Sequence, residues 1–239
     1  SNFRASVGML KQEGTIIETG YNRYNARLNS NFNVNDKLKV GQTLAVTFRD
    51  ITPEVNGNNT NRSLIEHAIK SAPYLPIYNP DNLGGFQGPT SALDGQDAEN
   101  PVRIQQNGSR KTKGTEIFGS LFAEYELLKG LKFRSQFGLE YSYNNFDSFT
   151  PSFDDDSNGQ STHAQAFAAI TKNASNFRRF LYTNSLNYKV SINGVHNLDV
   201  LALIEKNEAV FNQTNTSSQN AVTNDITQHG PDQVVATST

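Results

Sequence analysis

A period-two alternation that holds from Leu131 to Asn144 constrains this chain more than any other feature. The odd positions read Leu131, Phe133, Ser135, Phe137, Leu139, Tyr141 and Tyr143; the even ones read Lys132, Arg134, Gln136, Gly138, Glu140, Ser142 and Asn144. Successive side chains of a strand point to opposite faces, so this segment is a strand with one apolar and one polar face. The same rule sets Leu38, Val40, Leu44, Val46 and Phe48 opposite Lys39, Gly41, Thr43, Ala45 and Thr47. It also puts Ile117, Leu121, Ala123, Tyr125 and Leu127 on one face, and Phe180, Tyr182, Leu186, Tyr188 and Val190 opposite Arg179, Thr183, Ser185, Asn187 and Lys189. Weaker alternation marks Phe3 to Lys11, Tyr24 to Val34 and His196 to Ile204.

Seven strands follow, over about 3–11, 21–34, 38–50, 114–128, 131–145, 177–190 and 196–208. Strands of ordinary sheets run about 5 to 6 residues. A strand that crosses a bilayer at a tilt needs about 9 to 11. The pattern therefore predicts an all-β, antiparallel, up-and-down transmembrane β-barrel segment whose apolar face meets lipid and whose polar face meets a lumen. Tyr141, Tyr143 and Phe146 fit an interfacial girdle. A soluble sandwich or a repetitive sheet remains the alternative, and it would bury the same apolar face against a second sheet.

Composition narrows the partners. Apolar residues make up 36% and charged residues only 18%, because 29 positions are Asn; yet 15 Phe and 9 Tyr are present, so the chain lacks the signature of disorder. A formal charge of -2 carries no footprint for nucleic acid. With no cysteine there is no thiolate nucleophile, disulfide framework or Cys-based metal site. No apolar run is long enough for a transmembrane helix. The opening Ser1 to Ala5 lacks the pattern of a signal peptide.

The connections are unequal. Short polar turns fall at Asn33 to Lys37, Leu128 to Gly130 and Ser191 to Gly194, the last with an Asn-Gly hairpin signal. Long excursions span 51–113, 146–176 and 209–239. Turns on one side and long loops on the other are the habit of outer-membrane barrels. The weakly alternating His163 to Lys172 belongs to a loop by parity, since only an even number of crossings fits between outgoing and returning strands. Inside the first excursion, Ser63 and Glu66 make a capping box for a short helix ended before Pro73.

The residues Ser6 to Ile17, Tyr24 to Asn29 and Leu38 to Gly41 resemble the early barrel of SusC/RagA-type TonB-dependent outer-membrane transporters. Ala72 to Asn79, Asn187-Tyr188 and His196 to Ala202 match in the same order. The resemblance runs from about residue 3 to 208. It implies a 22-strand barrel around an N-terminal plug and energised uptake of large nutrients, either oligosaccharide or peptide. It also implies a SusD-like lipoprotein lid, outer-membrane lipid around the barrel, and a TonB complex engaged through parts outside this chain. Plug, TonB box and C-terminal aromatic strand have no match here, so the chain reads as a middle piece. The alternative is a soluble or cell-surface all-β module that binds glycan or protein through its loops.

No group of residues assembles a nucleophile, a base and an orienting partner, so no enzyme and no cofactor site is expected. Glu124, Glu126 and Glu140 fall on the polar strand faces, where charges need no catalytic explanation. Asp154, Asp156 and Asn158 occupy alternate positions before Gly159, like the first half of a calcium loop, but position 12 is Gln165 rather than a bidentate Glu. A solvated extracellular turn is the simpler reading of that acidic run. His67, His163, His196 and His229 lack metal-ligand spacing and read as structural. Asn82 to Gly88 reads as a turn-rich loop. Tyr74, Tyr78 and Phe86 cluster in the longest loop and are the candidate ligand-binding aromatics, since aromatic faces stack on sugar rings. Leu64, Ile65, Ala68 and Ile69 of the short helix are expected to pack against its loop.

Overall fold

The computed structural model describes residues 1–55, 63–90, 98–156, 163–221 and 224. Among them, seven strands form one antiparallel meander: β1 (Asn2–Glu13), β2 (Gly20–Asn33), β3 (Leu38–Thr52), β4 (Ser109–Leu128), β5 (Leu131–Thr150), β8 (Ala168–Ile192) and β9 (His196–Ala221), each beside its sequence neighbour. A small hairpin, β6 (Phe153–Asp154) with β7 (Ala164–Gln165), interrupts the series above β5. Two short helices, α1 (Leu64–Lys70) and α2 (Pro101–Gln106), lie between β3 and β4.

The register collects the alternating residues on one face. Across β1 to β5 the row Val7, Ala26, Val46, Ile117 and Tyr141 is continuous, as is Phe32, Val40, Ala123 and Ser135 nearer the other end. None of Leu38, Val40, Leu44, Leu131, Phe133, Phe137 or Leu139 is buried, and Leu44, Phe133 and Phe137 are exposed. A sandwich would cover this face, and among the described residues no second layer does so. Among the described residues, the buried apolar ones are Val55, Leu64, Ala98, Ile104, Phe149, Phe153, Ala168 and Ile170, all at one end of the sheet and in its loops.

All three tight turns lie at the opposite end. At the first, Asn35 Oδ1 accepts from Lys37 N and Leu38 N at 2.9 and 2.8 Å, and Lys37 O accepts from Glu126 N beside the second turn. The second needs Gly130 (φ +82°), where a Cβ would stand 2.2 Å from Lys189 O. The third carries positive φ at Asn193 and Gly194, the conformation of a type I′ hairpin.

Three expected boundaries are corrected. The excursion 146–176 is shorter, because β5 runs on to Thr150 and β8 begins at Ala168. The excursion 209–239 is also shorter, because β9 continues to Ala221. The excursion 51–113 yields its last residues to β4, which begins at Ser109. Ser, Thr and Asn in β8 and β9, and Arg110, Lys111 and Lys113 in β4, interrupt the apolar alternation while the backbone ladder continues. His163 to Lys172 adds no crossing. Ala168 to Lys172 prolongs β8 and pairs with β5 and β9, and Ala168 stands twelve residues, about 40 Å of strand, beyond Phe180, the partner of Leu139.

The short helix forms as its capping box requires: Ser63 Oγ accepts from Glu66 N, and Ser71 ends the helix by donating to His67 O. Its packing differs from expectation. Leu64 and His67 are buried, while Ile65, Ala68 and Ile69 are exposed, because one turn of so short a helix meets the core. His67 serves that packing, with Nδ1 accepting from Glu99 N at 3.1 Å.

Candidate functional site

Three surfaces result: an apolar outer band, a polar inner face and a cap of loops. The band reaches from Leu38, Tyr125, Leu131 and Tyr188 near the tight turns to Tyr24, Phe48 and Tyr143 at the other limit. On β3 that is residues 38 to 48, a fit to the about 9 to 11 residues of a tilted crossing. Tyrosines at both limits suit the two interfaces.

The inner face is laced by ion pairs. Arg49 donates to Glu116 at 2.8 Å; Glu124 faces Lys132 and Arg134 at 3.6 and 3.8 Å; Arg179 meets Glu140 at 3.2 Å; Lys189 meets Asp199 at 2.8 Å. The carboxylates of Glu124 and Glu140 are thus used in cross-strand pairs, and Glu126 Oε1 accepts from Gly130 N. Gly41 lets Phe122 lie flat across β3, since a Cβ there would stand 2.4 Å from the ring. The Arg134 guanidinium sits 3.8 Å above the same ring.

The cap is built around Arg103. The Asn100 side chain accepts from Val102 N and Arg103 N, starts α2 with Pro101 in its first turn, and donates to Ile77 O and Gln87 O at 2.8 Å each. Arg103, 4% exposed, then places Nε 2.9 and 3.1 Å from the two Asp155 oxygens and Nη2 2.5 Å from Glu99 Oε2. Its guanidinium stacks 3.8 Å over Phe153. Asp155 O gathers Gly88 N and Asn82 Nδ2, and Leu83 O accepts from Asp154 N. Gly88 is required by this close approach, because a Cβ would lie 2.6 Å from that of Asp155.

The acidic run is therefore no solvated turn. Asp155 and Asp156 are 1% and 3% exposed, and burial, only partly offset by Arg103, pushes the Asp155 carboxyl up to about 6. Glu99 moves the other way. Burial acts to raise it, but the hydrogen bond and charge of Arg103 prevail and hold it below its ordinary value. Asp154 Oδ1 accepts from Asp156 N, and Asn158 lies outside the described residues. Among the described residues no three potential ligands gather around a metal position.

Of the three candidate aromatics, Tyr78 and Phe86 come together. They share an isolated β-bridge, their rings stand 5.4 Å apart, and Tyr78 Oη donates to Gln106 at 3.3 Å. Tyr74 and Tyr78 are exposed. Arg103 and Asp155, the hub of the cap, had no local sequence signal: 52 residues separate them.

The same architecture occurs in solved structures. The chain superposes on the RagAB peptide transporter with a TM-score of 0.70 at 20% identity, covering 98% of this chain and 25% of that one. Against the RagAB peptide importer in its closed-closed state the TM-score is 0.68 at 19% identity. In sequence, TonB-dependent receptor P3 of Formosa agariphila is 25% identical over 238 residues, 95% of this chain. TonB-dependent receptor P26 of the same organism is 25% identical over 151 residues, 63% of this chain. The chain thus has the fold of part of the RagAB barrel and resembles TonB-dependent receptors in sequence over nearly its whole length. It spans 22% and 14% of the length of the two curated relatives. No protein-family profile matches it. The apolar band lies in the bacterial outer membrane; the relatives are named as receptors and the solved structures as a transporter and importer.

Proposed function

We propose that this receptor segment forms wall and extracellular loops of an importer that brings large nutrients, oligosaccharide or peptide, across the outer membrane with a SusD-like lipoprotein as its lid. The observation that carries the reading is the division of the sheet: an uncovered apolar band about one bilayer tall, tight turns at one end and an ordered cap at the other. A wall of this kind separates lipid from a polar passage. The energy for uptake comes from a TonB complex acting on parts of the protein outside this chain. Exposed Tyr74 and Tyr78, the latter backed by Phe86, offer the passing cargo flat faces at the outer surface.

The test is uptake by cells that carry or lack the whole receptor. Fluorescent oligosaccharides and peptides too large for simple diffusion should enter only when the receptor is present and the proton gradient intact. A lipoprotein should co-purify with it from outer membranes. Uptake unchanged by deletion of the receptor would overturn the reading.

A further inference from the structure

The inner face of β2 differs from the rest of the polar surface. From β3 to β9 the cations Arg49, Lys132, Arg134, Arg179 and Lys189 all meet carboxylates across the strands. On β2, Arg23 and Arg27 meet none among the described residues. Arg23 is opposed by Leu10 on β1 and by Arg49 on β3; Arg27 is opposed by Ser6 and Ala45. The diagonal neighbours are Gly8, Gln12, Thr47 and Ile51 for Arg23, and Arg4, Gly8, Thr43 and Thr47 for Arg27. No acid is among them. Because β2 is flanked on both sides and Arg23 and Arg27 are exposed, their guanidinium groups are open to an anion from the lumen. Like charges set directly opposite, as Arg23 and Arg49 are, weaken a sheet unless an anion lies between them. Arg49 already turns toward Glu116 and Asn144, over Gly114, where a Cβ would stand 3.2 Å from its Nε. The space left is a concavity of about 470 Å³ bordered by Arg23, Asn25, Arg27, Thr47, Arg49 and Glu116. Planar guanidinium groups with amide and hydroxyl neighbours are a match for carboxylates, which accept two parallel hydrogen bonds.

We propose that this concavity is a carboxylate-binding subsite that selects acidic cargo as it moves along the wall. This rests on the importer reading and adds the class of cargo. The shared chemistry is a chain carrying carboxylates, whether glutamate-rich peptide or uronate oligosaccharide.

The test uses the whole receptor purified in detergent, with its folded barrel verified by heat-modifiable migration. Fluorescence anisotropy compares a glutamate-rich peptide with its glutamine counterpart, and an oligogalacturonate with a neutral oligosaccharide of equal length. At least one acidic probe should bind about tenfold more tightly than its neutral counterpart, with the preference falling as salt rises. Which acidic probe shows it identifies the source of the carboxylate. Arg23→Gln with Arg27→Gln should abolish the preference, and Arg23→Lys with Arg27→Lys should keep most of it. Equal binding of acidic and neutral probes, no binding of any probe, or a preference that survives the glutamine pair overturns the subsite. Cell uptake separates the two readings: uptake without acidic preference sinks the subsite alone, and preference in binding with no uptake sinks the importer alone.

Discussion

Between Leu38 and Phe48 the sheet keeps its large apolar side chains on the outside, whereas a few residues farther out the cap puts Arg103, Asp155, His67 and Asn82 on the inside. The two regions solve opposite solvation problems. In the band, lipid takes the place of a core and the backbone is satisfied by the ladder alone. In the cap, ladder pairing among the described residues is limited to the β6–β7 pair and the Tyr78–Phe86 bridge, so peptide groups are also met by side-chain amides, as Asn82, Gln87 and Asn100 do for Phe86 O, Gly88 O and Ile77 O. A polar side chain is thus structural in the cap and dispensable on the wall, and the same substitution should have different costs in each.

The largest effect is expected at Arg103. Arg103→Met leaves Asp155 buried without its cation and should destabilise the cap by about 3 to 5 kcal/mol, read as lost hydrogen-exchange protection at Gly88 and Asp154 while the strands stay protected. Loss of protection throughout the sheet would show that band and cap are one cooperative unit. In the band the sign of the comparison reverses. Leu44→Arg on the lipid side should cost about 2 to 4 kcal/mol in refolding into bilayers, while Thr43→Arg on the lumenal side should be tolerated within about 1. Equal costs would deny the assignment of faces. Gly88→Ala pushes a methyl against Asp155 and should cost the cap about 1 to 3 kcal/mol, with no effect on barrel insertion, measured by protease resistance of the loops. Ser63→Ala removes the cap of α1 and should cost about 1 kcal/mol, seen as faster exchange at Glu66.

The smallest effect is a matter of pH. Asp155, with its native pKa raised to about 6, gives stability that is complete below its unfolded value and lost as pH rises through about 6. Glu99, lowered, gives stability present above its ordinary carboxylate value and lost as pH falls through its native value. Cap protection should therefore be greatest near about pH 4, where Asp155 still holds its proton and Glu99 is ionised, and should decline from there toward about pH 6. Asp155→Asn should remove the decline on the alkaline side; a decline that persists assigns it to another group.

The wall was legible because its information is local. Alternation names the faces, Asn193-Gly194 and Gly130 name the turns, and Ser63 with Glu66 names the helix. The ends of β8 and β9 were not legible, since Thr214, Asn215, Thr216 and Ser217 are polar on both faces above the band and erase the period that marks a strand. The cap was opaque for another reason. Three adjacent aspartates look solvated until Arg103 is brought to them, and only the fold does that.

One small contact sets an order of events. Ile16, in the turn between β1 and β2, packs against Val55, Leu64 and Ile104 of the cap. The first hairpin closes early, its ends being close along the chain, but the niche that receives Ile16 exists only after α1 and α2 have met, which brings together residues some forty positions apart. Ile16 is in this sense a clasp fastened last: the hairpin waits at the barrel rim, and the newly ordered loops lock onto it from above.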